Sequence, residues 1–382
     1  MKNVYLDSAA TTQMRDEVIN RMTSVMKEVY GNPSSTHSFG RSAKSLIEQA
    51  RKTVAGYLNV KASEIIFTSG GTEADNLALN SAVRDIGVKR IITSKIEHHA
   101  VLYTVEQLQD CFDVEVVYVD LDSCGNVKET HLEELLKTSE KKTLVSLMHV
   151  NNEIGNKLDI KKVGDLCKEN GAIFHSDCVQ SVGHYDLDFN EIPVDFTAVS
   201  AHKFHGPKGV GFAFIRKNSG LKPLIFGGEQ ERGHRAGTEG VHNIVGLEEA
   251  LKLSLDNLAE EKAYISDLKA HFIEKLKSEI PGVKFNGDCS DLEKSTYTLV
   301  NVCLPVPEDK ALMLLFQLDL KGIACSKGSA CQSGSDKGSH VLSAFLEEED
   351  LKKPSVRFSF SRFNTREELD YVVKTLKEFI ES

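Results

Sequence analysis

The chain has 382 residues, a hydrophobic fraction of 41% and a formal net charge of -10. This length and composition are typical of a globular protein with more than one core, and the acidic balance argues against direct binding of nucleic acid. The start lacks an apolar signal segment, no apolar run could span a bilayer, and the eight cysteines contain no Cys-x-x-Cys pair, so we expect a cytoplasmic protein with free thiols and no membrane contact.

Short apolar runs alternate with amphipathic helical patterns between about residues 60 and 215. The predicted strands are Ile65–Phe67, Arg90–Ile92, Val114–Val119, Leu144–Met148, Ala172–Phe174, Phe196–Val199 and Gly211–Ile215. The helical patterns between them include Thr72–Arg84 and Ile160–Glu169. This alternation predicts a parallel sheet covered by helices, with ligand-binding side chains beyond the carboxyl ends of the strands.

A second, smaller α+β unit is predicted after this region. A helical pattern from about His242 to Ile280 ends at Pro281-Gly282 and is interpreted as the bridge to it. The predicted strands beyond the bridge are Tyr297–Cys303, Gly322–Cys325 and Val356–Phe360.

The first candidate site motif is Phe67-Thr68-Ser69-Gly70-Gly71-Thr72-Glu73, a strand end followed by glycines and a helix start. Glycines let an anion approach the backbone, and the free N–H groups of a helix start bind it. Thr72 adds a hydroxyl donor. The motif lacks the spacing of the nucleotide-binding glycine fingerprints, and alone it also fits a plain strand-to-helix connection with Thr72 as the N-cap.

Two later strands also end in polar side chains. His98, in Glu97-His98-His99-Ala100, could stack on a planar ring and act as an acid or base, although a loop histidine is more often solvated or a cap. Asn152, in His149-Val150-Asn151-Asn152-Glu153, offers an amide to the same edge or is simply a turn former.

Asp177 and Gln180 lie in His175-Ser176-Asp177-Cys178-Val179-Gln180, after the predicted strand that ends at Phe174. A carboxylate facing a pyridine nitrogen keeps that nitrogen protonated and makes the ring an electron sink, and Gln180 could bond the ring's phenolic oxygen. A helix cap and a surface residue are the alternatives. Because side chains alternate along a strand, Cys178 should point away from a ligand that Asp177 faces.

Lys203 is the most informative residue of the chain. It lies in Ser200-Ala201-His202-Lys203-Phe204-His205-Gly206, just after the strand Phe196–Val199. A lysine here can form a Schiff base with an aldehyde cofactor, and Ser200 and His202 can reach the phosphate of that cofactor. An isolated lysine in a turn is usually solvated, but here the upstream motifs supply the other groups that the cofactor needs.

Two further candidates lie near the C-terminus. Cys331 belongs to a Gly/Ser-rich segment, 326–339, which predicts a mobile, exposed loop whose thiolate can attack a substrate and reach an outside acceptor. Arg357, in the alternating run Val356-Arg357-Phe358-Ser359-Phe360, could clamp a substrate carboxylate with two hydrogen bonds. From the pattern alone, an arginine on the wet face of a sheet is as good an interpretation.

Together these motifs resemble the pyridoxal-phosphate-dependent cysteine desulfurases of the NifS/IscS type, within the class V aminotransferases. The resemblance runs from Tyr5-Leu6-Asp7-Ser8-Ala9-Ala10-Thr11-Thr12 through Gly31-Asn32-Pro33-Ser34-Ser35 to Arg357-Phe358-Ser359. It implies an α/β PLP-dependent transferase fold of type I and a homodimer. The large domain, with a mostly parallel sheet covered by helices, would comprise residues 15–255. The small α+β domain would comprise residues 1–14 and 256–382.

The resemblance also implies the role of each site residue. Lys203 would hold pyridoxal 5'-phosphate covalently, Asp177 would pair with its pyridinium, and His98 would stack on the ring. The other expected cofactor contacts are Gln180 and Asn152 at the ring oxygen, and Gly71, Thr72, Ser200, His202 and the partner subunit's Thr238 at the phosphate. Asn32, Asn152 and Arg357 would bind the substrate, Cys331 would accept its sulfur, and no metal is expected.

The implied reaction converts L-cysteine to L-alanine and leaves a persulfide on Cys331. The sulfur then passes to an acceptor protein, either an iron–sulfur scaffold or a sulfur carrier for thio-cofactor or tRNA biosynthesis. The alternatives are a selenocysteine lyase, a β-eliminating cysteine or cystine lyase, and a sulfur-relay platform without catalysis. One departure from the family stands out: Glu229, in Gly227-Gly228-Glu229-Gln230-Glu231, replaces the usual third glycine.

Overall fold

The computed structural model describes residues 3–327 and 338–381. The strands in these ranges are β1 Val4–Tyr5, β2 Ile65–Thr68, β3 Arg90–Thr93, β4 Glu115–Tyr118, β5 Thr143–Ser146, β6 Ile173–Asp177, β7 Phe196–Ser200, β8 Gly211–Ile215, β9 Lys284–Asn286, β10 Leu299–Cys303, β11 Ile323–Ala324 and β12 Ser355–Ser359. The α-helices are α1 Asp16–Glu28, α2 Ser38–Tyr57, α3 Gly71–Arg84, α4 His99–Cys111, α5 Glu129–Lys137, α6 Ile160–Glu169, α7 Val241–Asp256, α8 Leu258–Glu279, α9 Glu308–Ala311, α10 Leu314–Leu320, α11 His340–Ser343, α12 Glu348–Leu351 and α13 Arg366–Glu381.

The central sheet has seven strands in the order β2-β8-β7-β6-β5-β3-β4. Strands β7, β6, β5, β3 and β4 run parallel, whereas β8 is antiparallel to both β2 and β7. Strands buried on both faces are near-continuous apolar runs, and this is the pattern by which the sequence predicts them. The mostly parallel α/β sheet is therefore confirmed.

Helices cover both faces of this sheet. On one face, Phe174 and Phe212 share an apolar cluster with Ile47 of α2, Val163 of α6 and Leu247 of α7. On the other face, a second cluster joins α3 and α4 to side chains from five of the strands. This layered arrangement leaves the carboxyl ends of the parallel strands exposed to a ligand.

A separate apolar core lies among the C-terminal elements. It contains residues of β1, α8, β10, β12 and α13, and its largest members include Phe272, Phe358 and Phe360. Here β9, β10 and β12 form an antiparallel sheet, and β1 pairs with β11 in parallel. The domain limits at residues 15 and 255 stay a prediction. Within the described ranges, no helix is both long and apolar enough to cross a membrane.

Two predicted elements differ from the structure. The helical pattern from His242 to Ile280 forms two helices, α7 and α8, which meet at Asn257. The side-chain amide of Asn257 donates a hydrogen bond to the carbonyl of Leu253, near the end of α7. Asp177 lies within β6 rather than after it, because residues 175–177 remain paired with β7. The strand continues through these polar residues because their backbone groups are still hydrogen-bonded to the neighbouring strand.

Candidate functional site

A cavity of about 210 Å³ lies where β6 and β7 end and α3 and α4 begin. It is lined by Ala9, Ala10, Gly71, Thr72, Asp75, His98, Met148, Asn152, Asp177, Val179, Gln180, Ser200, His202, Lys203 and Arg357. The cavity therefore brings together all the predicted site residues except Asn32, Thr238 and Cys331.

Lys203 ends a single 3-10 turn, Ala201–Lys203, that directly follows β7. Its Nζ donates to the carbonyl oxygens of Ala9, at 2.6 Å, and of Ala10, at 2.9 Å. The Gln180 amide also donates to the Ala9 carbonyl, at 3.0 Å. The N-terminal turn of the chain thus forms one wall of the cavity and fixes the lysine head group within it.

Asp177 is a buried carboxylate that lines the cavity near the lysine. Its Oδ1 accepts a hydrogen bond from the backbone N–H of Val179 at 2.8 Å. Burial raises the pKa of Asp177 to about 6, while that hydrogen bond and the charge of Lys203 both lower it. A protonated pyridine nitrogen beside this carboxylate would favour its ionised form.

The next residue, Cys178, is fully buried in the apolar cluster on the other side of the strand. Its predicted direction, away from the cavity, is confirmed. Burial raises the pKa of this thiol to about 12, so it remains protonated at neutral pH.

A chain of polar groups that the sequence analysis missed lies beside Asp177. The Oγ of Ser146 is 2.8 Å from Nδ1 of His175, and Nε2 of His175 is 3.3 Å from Oδ1 of Asp75. Burial lowers the pKa of His175 to about 3, and burial with the charges of Asp177 and Glu97 raises the pKa of Asp75. His175 is therefore neutral near pH 7, and the raised pKa of Asp75 favours its protonated form beside Asp177.

The N-terminus of α3 forms another part of the cavity lining. A Cβ atom at Gly71 would lie 2.5 Å from Cγ2 of Val179, so glycine is needed for this close approach. The hydroxyls of Thr72 and Ser200 line the same region. Together with the free N–H groups of the helix start, they form a donor set that suits a phosphate.

The imidazole of His202 also lines the cavity. Its Nδ1 is 3.2 Å from Oγ1 of Thr11. Burial, followed by the charges of Lys203 and Lys208, lowers the pKa of His202 to about 4. The ring is therefore neutral at pH 7 and offers a hydrogen bond rather than a charge.

His98 both caps a helix and lines the cavity. Its Nδ1 accepts a hydrogen bond from the N–H of Ala100 at 3.1 Å, at the start of α4. Burial, and then the charge of Lys203, lowers the pKa of His98 to about 4. A neutral imidazole that accepts at Nδ1 carries its proton on Nε2, so this ring has one proton to donate.

Arg357 of β12 is buried, so the wet-face interpretation of the sequence pattern is wrong. Its Nη1 donates to the carbonyl of Asn152 at 2.8 Å, and its Nη2 donates to Oδ1 of Asp7 at 2.8 Å. Its Nε is a buried donor without a partner among the residues that the structure describes. A carboxylate in the cavity would satisfy it.

Three predicted site residues are not placed in this cavity. Asn32 is exposed, and its Oδ1 accepts from the N–H of Ser34 at 2.9 Å. Thr238 is exposed and lines a separate cavity of about 170 Å³ beside Glu231. Cys331 lies outside the described residues, and its role stays a prediction.

The seven cysteines within the described ranges are free. Cys325, the described cysteine nearest to Cys331 in sequence, has its pKa raised to about 12 by burial and by the charge of Asp7. This thiol is not activated. Among residues 3–327 and 338–381, no group of three or more histidine, cysteine and acidic side chains is arranged to hold a metal ion.

The chain is similar to known proteins over its whole length. The family described as Aminotransferase class-V matches residues 4–372. The cysteine desulfurase IscS of Dictyoglomus turgidum is 41% identical, over 100% of this chain and 95% of the relative. That of Methanosarcina thermophila is 41% identical, over 100% of this chain and 92% of the relative.

Solved structures show the same similarity. A NifS-like protein is 35% identical and superposes with a TM-score of 0.90, with 100% of both chains covered. SspA, solved in complex with cysteine, is 30% identical and superposes with a TM-score of 0.81 over 95% of this chain and 100% of that one.

Proposed function

Because the chain belongs to the class V aminotransferase family and is a cysteine desulfurase, we propose that it binds pyridoxal 5'-phosphate around Lys203 and moves the sulfur of L-cysteine to Cys331. The observation that carries the proposal is the meeting of Lys203, Asp177 and the N-terminus of α3 in one cavity. The family is generally PLP-dependent, and each polar end of that cofactor has a matching group here.

The residues present fit pyridoxal phosphate. The phosphate would be held by Gly71, Thr72, Ser200 and His202, where the glycine leaves room for the anion and the helix start supplies N–H donors. Asp177 would pair with the ring nitrogen, and Gln180 and Asn152 would hold the ring oxygen. When bound, the cofactor supplies an aldehyde for the amine of Lys203 and then of the substrate, and a ring that accepts an electron pair.

The side chains around the substrate have separate tasks. Arg357 would bind its carboxylate, with its Nε as a donor still available. Asn32 would also bind it, although in the single chain Asn32 lies outside the cavity. Lys203, once exchanged for the substrate amine, would remove the proton from the substrate Cα. His98, with its proton on Nε2, would exchange a proton with the substrate thiol.

The sulfur transfer itself requires Cys331. Its thiolate sulfur bonds to the substrate sulfur, the substrate Cβ–S bond breaks, and the electron pair of that bond goes to the substrate carbon. The carbon takes up a proton, and L-alanine leaves. Cys331 retains the sulfur as a persulfide, so sulfur is conserved and no outside oxidant is needed.

Homodimer formation and an acceptor protein complete the proposal. Tyr30 and Phe39 are large apolar side chains that are 74% and 53% exposed, and their rings lie 5.4 Å apart, which favours a second copy as the partner of this face. Thr238 would reach the phosphate of the partner's cofactor. The persulfide would pass to an iron–sulfur scaffold or to another sulfur carrier.

The test is formation of alanine and sulfide from L-cysteine and a reductant by the wild type, Cys331→Ala and Cys111→Ala. Cys111 is an exposed thiol remote in sequence from Cys331 and serves as the matched control. We expect equal alanine and sulfide from the wild type and the control, and neither from Cys331→Ala. Pyruvate in place of alanine would identify a β-eliminating lyase, and turnover of selenocysteine alone would identify a selenocysteine lyase.

A further inference from the structure

Asp7 connects the candidate carboxylate-binding arginine to the chain that leads into the Cys331 segment. Its Oδ1 accepts a hydrogen bond from Nη2 of Arg357 at 2.8 Å and another from Oγ of Ser326 at 2.8 Å. Ser326 is next to the last residue described before Cys331. One carboxylate oxygen of Asp7 therefore contacts both Arg357 and Ser326.

Backbone pairing brings these three residues together. The N–H of Arg357 donates to the carbonyl of Ser326 at 2.8 Å, and the N–H of Ser326 donates back at 3.3 Å. Asp7 forms a bridge to Ser359, two residues along the same strand from Arg357. The side-chain contacts of Asp7 are thus added to a paired backbone, and they determine the positions of the guanidinium and the hydroxyl.

Asp7 also balances the charge of a buried arginine. The side chain of Arg357 is 1% exposed, that of Asp7 is 17% exposed, and the two form an ion pair. The other fixed contact of the guanidinium is the neutral carbonyl of Asn152. A buried guanidinium needs a carboxylate partner, and the direction of that partner sets the plane of its five donors.

We propose that Asp7 is a positioning residue with two outputs: it orients Arg357 for the substrate carboxylate, and through Ser326 it fixes the point at which the chain leaves for Cys331. This inference rests on the proposed roles of Arg357 and Cys331. It adds that loss of the Ser326 hydroxyl affects the sulfur step alone, whereas loss of the Asp7 charge affects both substrate binding and the sulfur step.

The first experiment compares Asp7→Asn, Ser326→Ala and the wild type, each loaded with cofactor. Binding of L-cysteine is followed by the change in cofactor absorbance, and persulfide on Cys331 is followed in a single turnover by mass spectrometry. We expect Ser326→Ala to leave binding unchanged and to slow persulfide formation about tenfold, the effect of one lost hydrogen bond to a charged group. Asp7→Asn should slow that step similarly and also weaken binding about tenfold.

The second experiment uses the cofactor-free protein, so that its result does not depend on turnover. The rate at which iodoacetamide alkylates Cys331 is measured by peptide mapping. We expect this rate to change in both Asp7→Asn and Ser326→Ala. It should be unchanged in Ser278→Ala, which removes an exposed hydroxyl whose hydrogen bond lies within its own helix.

The outcomes separate this inference from the proposed function. If the wild type forms no persulfide on Cys331, the proposed function fails, and the alkylation rates still test the positioning by Asp7. If the wild type forms the persulfide but both variants match it in binding, rate and alkylation, the positioning role is overturned. Equal thermal unfolding of the variants and the wild type would show that a defect is local.

Discussion

At the scale of single residues, the site combines two basic side chains, Lys203 and Arg357, with the buried carboxyl groups of Asp75 and Asp177 and several neutral imidazoles. Burial is the largest cause of the lowered pKa of His98, His175 and His202, and Lys203 lowers that of His98 and His202 further. The positive charge in the cavity is therefore carried by Lys203 and Arg357 and not by these histidines. Asp177 is the acidic group that meets this positive charge. Burial raises the pKa of Asp177 to about 6.

Replacement of Lys203 by alanine should abolish both the absorption band of covalently bound cofactor and the turnover of L-cysteine. No other lysine lines the cavity, so within the described residues no nearby amine can replace it. The measurement is the visible absorption spectrum after incubation with pyridoxal phosphate. The matched control is Lys208→Ala, at an exposed lysine five residues further along the chain. Retention of the band in Lys203→Ala would show that another amine holds the cofactor.

The sequence predicts those site residues that follow a strand end, because strand ends can be located from apolar runs and polar residues just beyond them share one edge of the sheet. Asp75 and His175 were missed because they lie inside a helix and a strand, where a polar residue is usually interpreted as a solvated side chain. Their role depends on a contact of 3.3 Å between elements that are far apart in sequence.

At the scale of the elements, strand positions could be predicted but strand directions could not. Gly211–Ile215 was placed correctly, but its antiparallel direction within the sheet is not visible in an apolar run. The physical reason is the short connection from β7, since a parallel crossover needs about a dozen residues or more. Helices α1 and α2 were not predicted, because the alternating pattern used to find the sheet begins after them.

The departure at Glu229 is also explained at this scale. Glu229 has φ -86° and ψ 23°, a conformation open to any residue. The nearby backbone is instead fixed at Glu231, with φ 47°, whose carboxylate accepts hydrogen bonds from Arg51 at 2.6 and 3.0 Å and from the N–H of Phe67 at 2.9 Å. This buried pair holds the segment that leads to Thr238.

Gly71→Ala should weaken cofactor binding while leaving the fold intact. The added methyl would lie 2.5 Å from Val179, and such overpacking costs about 1–3 kcal/mol, which corresponds to about a 5- to 150-fold loss of affinity if it falls on the bound state. The measurement is a titration of the apoprotein with pyridoxal phosphate. Gly56→Ala, in α2 with nothing near the added methyl, is the control and should bind normally. Equal affinity of both variants for pyridoxal phosphate would show that the start of α3 does not bind the phosphate.

At the scale of the whole molecule, buried histidines should make stability depend on pH. Burial lowers the pKa of His149 from 6.5 to about 3. A group whose pKa is lower in the folded state binds fewer protons there than when unfolded, so its contribution is complete above pH 6.5 and is lost as the pH falls towards 3. His205 acts in the same direction.

His149→Gln should therefore flatten the acid side of the stability curve. Denaturant unfolding of the apoprotein between pH 7 and pH 4 gives the free energy of unfolding at each pH. The slope for the variant should be smaller than that of the wild type by up to about 1.4 kcal/mol per pH unit, the value for one proton. An unchanged slope would mean that His149 is protonated in the folded protein or that the acid transition has another origin.

The proposed role of Thr238 requires a second copy of the chain, so its spacing in the sequence could not place it. In the single chain it is exposed and lies outside the main cavity. If it contributes to the partner's site, then a carboxylate in its place should repel the phosphate bound to the other subunit. Thr238→Asp and Lys203→Ala homodimers should both be nearly inactive.

A mixture of these two variants distinguishes the two placements of Thr238. In a mixed dimer, one site would combine Lys203 of the first chain with Thr238 of the second, and that site would be intact. Random exchange of subunits should then restore about a quarter of the wild-type activity, since half of the dimers are mixed and each has one working site. If Thr238 acted within its own chain, each site of the mixed dimer would retain one defect, and unfolding and refolding the variants together would restore nothing.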